Sequence, residues 1–95
     1  MPHYQLTPDA AEDIERLFLF GIERFGVKQA TKYLDGLKLR LLHIAESPRT
    51  YPLVEHIRIG YRRSVYGVHA IYYRAIDNEA VEITRVIGRE HLDAL

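Results

Sequence analysis

The sequence predicts an α+β fold of order β-α-α-β-β-β, a helical hairpin packed on a mostly antiparallel sheet. Three observations predict it. Apolar residues recur at a 3/4 spacing between Pro8 and Glu46. After Tyr51 the period changes to two, as in strands. A short strand-like stretch, His3–Leu6, precedes the first helix signal.

Thr7-Pro8 announces that first helix, with Thr7 as N-cap and Pro8 at the first helical position. Asp9, Glu12 and Asp13 fall in its first turns, where the helix dipole favours negative charge. It runs to about Phe25, with Ala11, Ile14, Phe18, Gly21 and Phe25 on one stripe, widened by Leu17 and Ile22. Gly26 breaks it. The second helix spans about Val27 to Glu46 and ends at Ser47-Pro48, with a stripe of Val27, Ala30, Leu34, Leu37, Leu41 and Ile44. So short a break folds the two helices into an antiparallel hairpin. Leu19, Phe20, Leu39 and Leu42 lie off these stripes. They either pack against the sheet or form an exposed patch for a protein partner.

Ile57–Val65 reads as a strand with a bulge at Gly60, followed by a tight turn at Tyr66-Gly67. Val68–Ile76 is the next strand, Asp77-Asn78-Glu79 a hairpin loop, and Ala80–Ile87 the last strand. Alternation puts His69, Ile71 and Tyr73 on one face of the middle strand and Ala70, Tyr72 and Arg74 on the other. Arg85 shares its nominal face with Val81, Ile83 and Ile87, so it either caps the core stripe or follows a bulge that changes the parity. The remaining GREHLDAL is a polar tail.

At 95 residues, 47% hydrophobic and 27% charged, the chain is expected to be one globular domain over 1–95 rather than a disordered segment. It contains no Cys, which excludes disulfides, thiolate zinc sites and cysteine nucleophiles and fits a reducing, cytoplasmic setting. Apolar runs fall well short of the roughly 18 residues a membrane span needs. The five His lie at 3, 43, 56, 69 and 91, with no short pair at ligand spacing, so neither a metal nor another cofactor is expected. Phosphate-loop, dinucleotide, zincin and nucleophile-elbow motifs are all absent.

The charges cancel, 13 basic against 13 acidic, but not locally. Asp9, Glu12, Asp13 and Glu15 crowd the first helix. Between His56 and Ile76 lie Arg58, Arg62, Arg63, Arg74 and His69, with no acid. Such a basic stretch is either a solvated sheet face or an electropositive working surface; sequence-specific nucleic-acid binding is not expected of it.

The segments YQLTPDAAEDI, FGVKQATKYL, AESP, IRIGYRRSVYGVHAIYYR and VEITRVI, in this order, resemble the ParE branch of the RelE/ParE toxin superfamily over nearly the whole chain. The resemblance implies a RelE/ParE-like fold of the same element order and a toxin of a type II toxin–antitoxin module, often tied to plasmid stabilisation. ParE-like members inhibit DNA gyrase without known catalysis, so Arg58, Arg62, Arg63 and Arg74 become target-binding candidates. The partner implied is a ParD-like antitoxin, with Leu19, Phe20, Leu39 and Leu42 as its candidate contacts. RelE-like members are instead ribosome-dependent, metal-free messenger RNA endoribonucleases; for that alternative the candidates are His69, Arg85, Arg89 and His91. Against the nuclease pattern, the sheet carries no Lys and no Tyr follows Tyr73.

Overall fold

The computed structural model describes residues 1–88. Its elements run β1 (His3–Leu6), α1 (Pro8–Phe25), α2 (Val27–Glu46), β2 (Arg62–Tyr66), β3 (His69–Ala75) and β4 (Ala80–Gly88). The strands form one sheet of order β1-β4-β3-β2, with β1 parallel to β4 and the other pairs antiparallel.

Thr7 begins α1 as expected, its hydroxyl accepting the Ala10 N–H at 3.0 Å. The buried side of α1 is offset from the expected stripe. Ala10 and Asp13 are buried, Ile14 and Leu17 pack on the core, and Ala11 and Phe25 are exposed. On α2 the stripe holds at Ala30, Leu37, Leu41 and Ile44, whereas Val27 is exposed. The core lies between this hairpin and one sheet face, where Leu37, Leu41 and Ile44 meet Ile71, Tyr73, Val81, Ile83 and Val86. Burying each large side chain fully contributes about 1.5–3 kcal/mol. Truncating Leu41 to Ala is the kind of change that costs about 2–5 kcal/mol.

Two strand expectations need correction. β2 begins at Arg62, not Ile57, and Gly60 sits in a turn rather than a bulge. The turn wins because Val54 N–H reaches the Tyr61 carbonyl at 2.8 Å and Gly60 N–H reaches the Glu55 carboxylate at 3.0 Å. Gly60 itself has φ of +81°, a region that favours glycine. The β2–β3 turn is Gly67-Val68, since Tyr66 pairs opposite His69.

The bulge lies in β4. Tyr72 pairs with Arg85 but Tyr73 with Ile83, so Thr84 is the extra residue. Its groups are not wasted: the Thr84 hydroxyl donates to the Tyr72 carbonyl at 3.0 Å, and the Thr84 carbonyl accepts the Thr7 hydroxyl at 2.9 Å. The cap of α1 and the bulge of β4 therefore share one side chain. The bulge also changes the parity. Ile83 and Val86, three apart, both pair with the core-facing residues Tyr73 and Ile71, while Arg85 and Ile87 join Tyr72 and Ala70 on the opposite face. That outer face carries its own small cluster, Val54, Ala70 and Tyr72, covered by Ile57, Tyr61 and Ile87.

Candidate functional site

The arginines of the β-rich half separate into different environments. Arg62 pairs opposite the core-facing Tyr73 and donates to the Tyr51 carbonyl at 2.7 Å. Arg63 pairs opposite Tyr72 on the outer face, its guanidinium 5.9 Å from the Tyr72 ring centroid. Arg58 lies in the turn before β2, 5.8 Å from the Tyr61 ring centroid. Arg74 is held by Glu82 at 2.9 Å. The four target-binding candidates thus do not form a single cluster. Arg58 and Arg63 each lie against a tyrosine on the outer side of the sheet, neither is in an ion pair among the described residues, and on that side they can meet an anionic partner.

The nuclease candidates are divided too. Arg85 grips Asp13 with Nε–Oδ2 at 2.7 Å and Nη2–Oδ1 at 3.0 Å, and Asp13 Oδ2 also accepts the Val86 N–H at 3.0 Å. The hydrogen bond to Asp13 holds the Arg85 guanidinium above its ordinary value, helped by the field of Asp13, Asp9 and Glu12 and opposed by burial. Asp13, only 6% exposed, was expected as a first-turn dipole acid; it is a buried anchor between α1 and β4. The signal available in the sequence was an acid on the same helical side as Ile14 and Leu17, matched by an arginine in an apolar last strand.

His69 faces the other way. Its Nδ1 lies 2.8 Å from the Tyr33 hydroxyl on α2, which donates to the Tyr66 carbonyl at 3.0 Å and accepts the Val68 N–H at 3.3 Å. Burial pushes the Tyr33 phenol up, partly offset by the Val68 bond. His69 and Arg85 therefore sit on opposite faces of the sheet. Arg89 and His91 lie outside the described residues. Among the described residues no cluster suits a metal ion, and no helix is long and apolar enough to cross a membrane.

The off-stripe apolar residues are the clearest surface feature. Leu19, Phe20, Leu39 and Leu42 do not pack against the sheet; they are 47–68% exposed. Phe20 also lines a groove of about 380 Å³ with Phe18, Phe25, Tyr33, Val68 and His69. This groove lies where the helix–helix junction meets the β2–β3 turn. Its chemistry is apolar and aromatic, suited to receiving side chains of another protein rather than to moving protons.

The family described as "ParE toxin of type II toxin-antitoxin system, parDE" matches residues 4–92. The chain is similar to the Toxin ParE1 of Caulobacter vibrioides, 36% identical over 97 residues, covering 97% of this chain and 99% of that one. It is 32% identical over 84 residues to the Toxin ParE1 of Mycobacterium tuberculosis, covering 88% and 86% of the two chains. Among solved structures, a chain of the chromosomal ParDE system from P. aeruginosa superposes with a TM-score of 0.76 at 14% identity, over 93% of this chain and 96% of that one. A chain of the toxin–antitoxin complex RelBE2 from Mycobacterium tuberculosis gives 0.65 at 21% identity, over 94% and 100%. At such identities the two structures bear on the fold, which they share.

Proposed function

We infer the function from one premise: the chain belongs to the ParE toxin family of type II toxin–antitoxin systems. It is the toxin component of such a module. We propose that it acts in the cytoplasm by inhibiting DNA gyrase, and that a ParD-like antitoxin neutralises it by covering its exposed apolar residues.

The observation that carries this reading is the exposure of Leu19, Phe20, Leu39 and Leu42, with Phe20 also lining an aromatic groove, apolar area suited to binding protein. The commitments of the basic side chains support it from the other side. A general acid–base pair must converge on one scissile bond. Here Arg85 is held by Asp13 on one face and His69 contacts Tyr33 on the other. Arg58 and Arg63 remain as the target-facing charges under this proposal.

The test runs two assays in parallel, purified toxin with gyrase and supercoiled plasmid, and toxin with translating ribosomes and labelled messenger RNA. Accumulation of gyrase-cleaved plasmid is expected. Messenger RNA cleavage that disappears in His91→Ala, with plasmid left intact, overturns the gyrase reading in favour of a ribosome-dependent nuclease.

A further inference from the structure

A second depression, of about 460 Å³, lies at the far end of β3 from the aromatic groove. The groove reaches Val68 and His69 at the start of that strand, whereas this depression reaches Ala75 and Ile76 at its end. Along β3 the nearest residues of the two linings, His69 and Tyr73, are four positions and about 13 Å apart. A partner seated in one does not automatically fill the other.

The lining combines two guanidiniums with apolar surface. Arg62 is fixed in place by its bond to the Tyr51 carbonyl, which uses one of five N–H donors. Arg49 is exposed and makes no ion pair among the described residues. Neither acid nearby forms an ion pair with these guanidiniums; each bonds the backbone of its own loop. Asp77, at the rim, accepts the Glu79 and Ala80 N–H groups at 2.8 and 2.9 Å, and Glu55 accepts that of Gly60. Leu53 and Ile76, each more than two-fifths exposed, supply the apolar walls. Tyr73 lies against the depression with its hydroxyl turned to the Pro48 carbonyl at 2.6 Å.

We propose that this depression is a docking site for an acidic peptide segment of a partner protein, its carboxylate meeting Arg49 and Arg62 and a neighbouring aliphatic side chain lying on Leu53 and Ile76. Charge complementarity selects the occupant. Two guanidiniums without a carboxylate partner favour a planar anion that accepts bidentate hydrogen bonds. The apolar walls favour a peptide over a bare inorganic ion, which makes no use of them. The site is independent of which target the toxin attacks.

The experiment uses the full chain, ¹⁵N-labelled, with a blocked pentapeptide of alternating glutamate and leucine and its glutamine counterpart. Titration of the glutamate peptide is expected to shift the backbone amides of Gly60 and Asn78, with affinity falling as salt rises. Arg49→Glu, at an exposed position, should weaken binding at least about tenfold, the size of one charge-assisted contact. Arg62→Lys keeps the charge and loses the fork; it too should weaken binding, and its melting curve separates that effect from any loss of the bond to Tyr51. Equal binding of the glutamine peptide overturns the proposal, as does wild-type affinity in Arg49→Glu. Shifts confined to the Phe20 groove also overturn it. So do shifts at Gly60 and Asn78 produced by a DNA duplex and not by the peptide, which would make the depression a nucleic-acid surface.

Discussion

Arg85 and Asp13, 72 residues apart, are joined by contacts of 2.7 and 3.0 Å that bind the last strand to the first helix. The same carboxylate takes the Val86 N–H, so α1 satisfies the edge of β4 just beyond the point where β1 ends its pairing at Ile83. This arrangement makes Asp13 a structural residue with two dependants, a partly buried guanidinium and a main-chain donor.

Asp13→Ala is therefore expected to destabilise the fold by about 3 kcal/mol, the lower end for breaking a buried pair, because Arg85 retains some solvent access. Urea denaturation of the two proteins checks it. A change below about 0.5 kcal/mol, the scale of an ordinary surface substitution, would sink the assignment.

Tyr73 predicts an alkaline limit to stability. Burial pushes its phenol up to about 12, only partly opposed by the positive charge of Arg62. The folded value lies above the unfolded value of 10.0, so the native state holds the proton when the unfolded chain has released it. Stability from this group is complete below pH 10 and is lost as pH rises toward 12. In Tyr73→Phe that part of the alkaline slope should vanish, at a cost near neutral pH of about 1 kcal/mol for the lost bond to Pro48. Denaturation midpoints measured from pH 9 to pH 12 separate the two effects; an unchanged slope in the variant counts against burial as its cause.

Gly36 on α2 is occupied from outside by the Tyr66 hydroxyl, which stands where a β-carbon would go. An exposed helical Gly→Ala change ordinarily gains about 1 kcal/mol. Here the gain should be reversed, with a net loss of about 1–2 kcal/mol from overpacking. Removing the obstructing oxygen with Tyr66→Phe in the Gly36→Ala background should recover part of that loss. Thermal melts of the four proteins form the cycle, and additive effects would argue that the two residues do not meet.

Phe20→Ser should leave the melting temperature almost unchanged, since the ring is more than half exposed. Binding of the cognate antitoxin, read by calorimetry, should weaken by about thirtyfold, as for an anchor at an interface. Wild-type affinity would move the antitoxin away from this groove.

Arg58→Ala combined with Arg63→Ala should reduce growth inhibition in cells without loss of fold. Pairing Arg62 with Arg63 is the poorer experiment, because Arg62 holds the Tyr51 carbonyl on the core side. Undiminished inhibition in the Arg58 and Arg63 variant would mean that these guanidiniums only solvate the sheet.

The helices were legible because their periodicity and caps are local: Thr7-Pro8 and Gly26 mark ends that the structure keeps. The start of β2 was not, because Ile57–Tyr61 alternates like a strand while its hydrogen bonds close a turn. The face of Arg85 depended on one inserted residue, and strand alternation alone carries no mark of an insertion. Leu19, Phe20, Leu39 and Leu42 could be recognised as off-stripe, but their exposure depends on where the sheet lies. Asp13 and Arg62 were the residues whose local context misled, since each bonds a partner that its neighbours in sequence do not reveal.

Thr84 gives β4 something like a frameshift. Upstream of it the odd-numbered residues Val81 and Ile83 point to the helices; downstream the even-numbered Val86 does. If Thr84 were instead paired in regular alternation, with no bulge, every later side chain would turn to the opposite face. Arginine would then enter the layer of Leu37, Leu41 and Ile44, and valine would leave it. Burying an unpaired guanidinium there costs several kcal/mol, comparable to the whole stability of a domain this small. One threonine thus decides, for the end of the last strand, which residues are interior and which are surface.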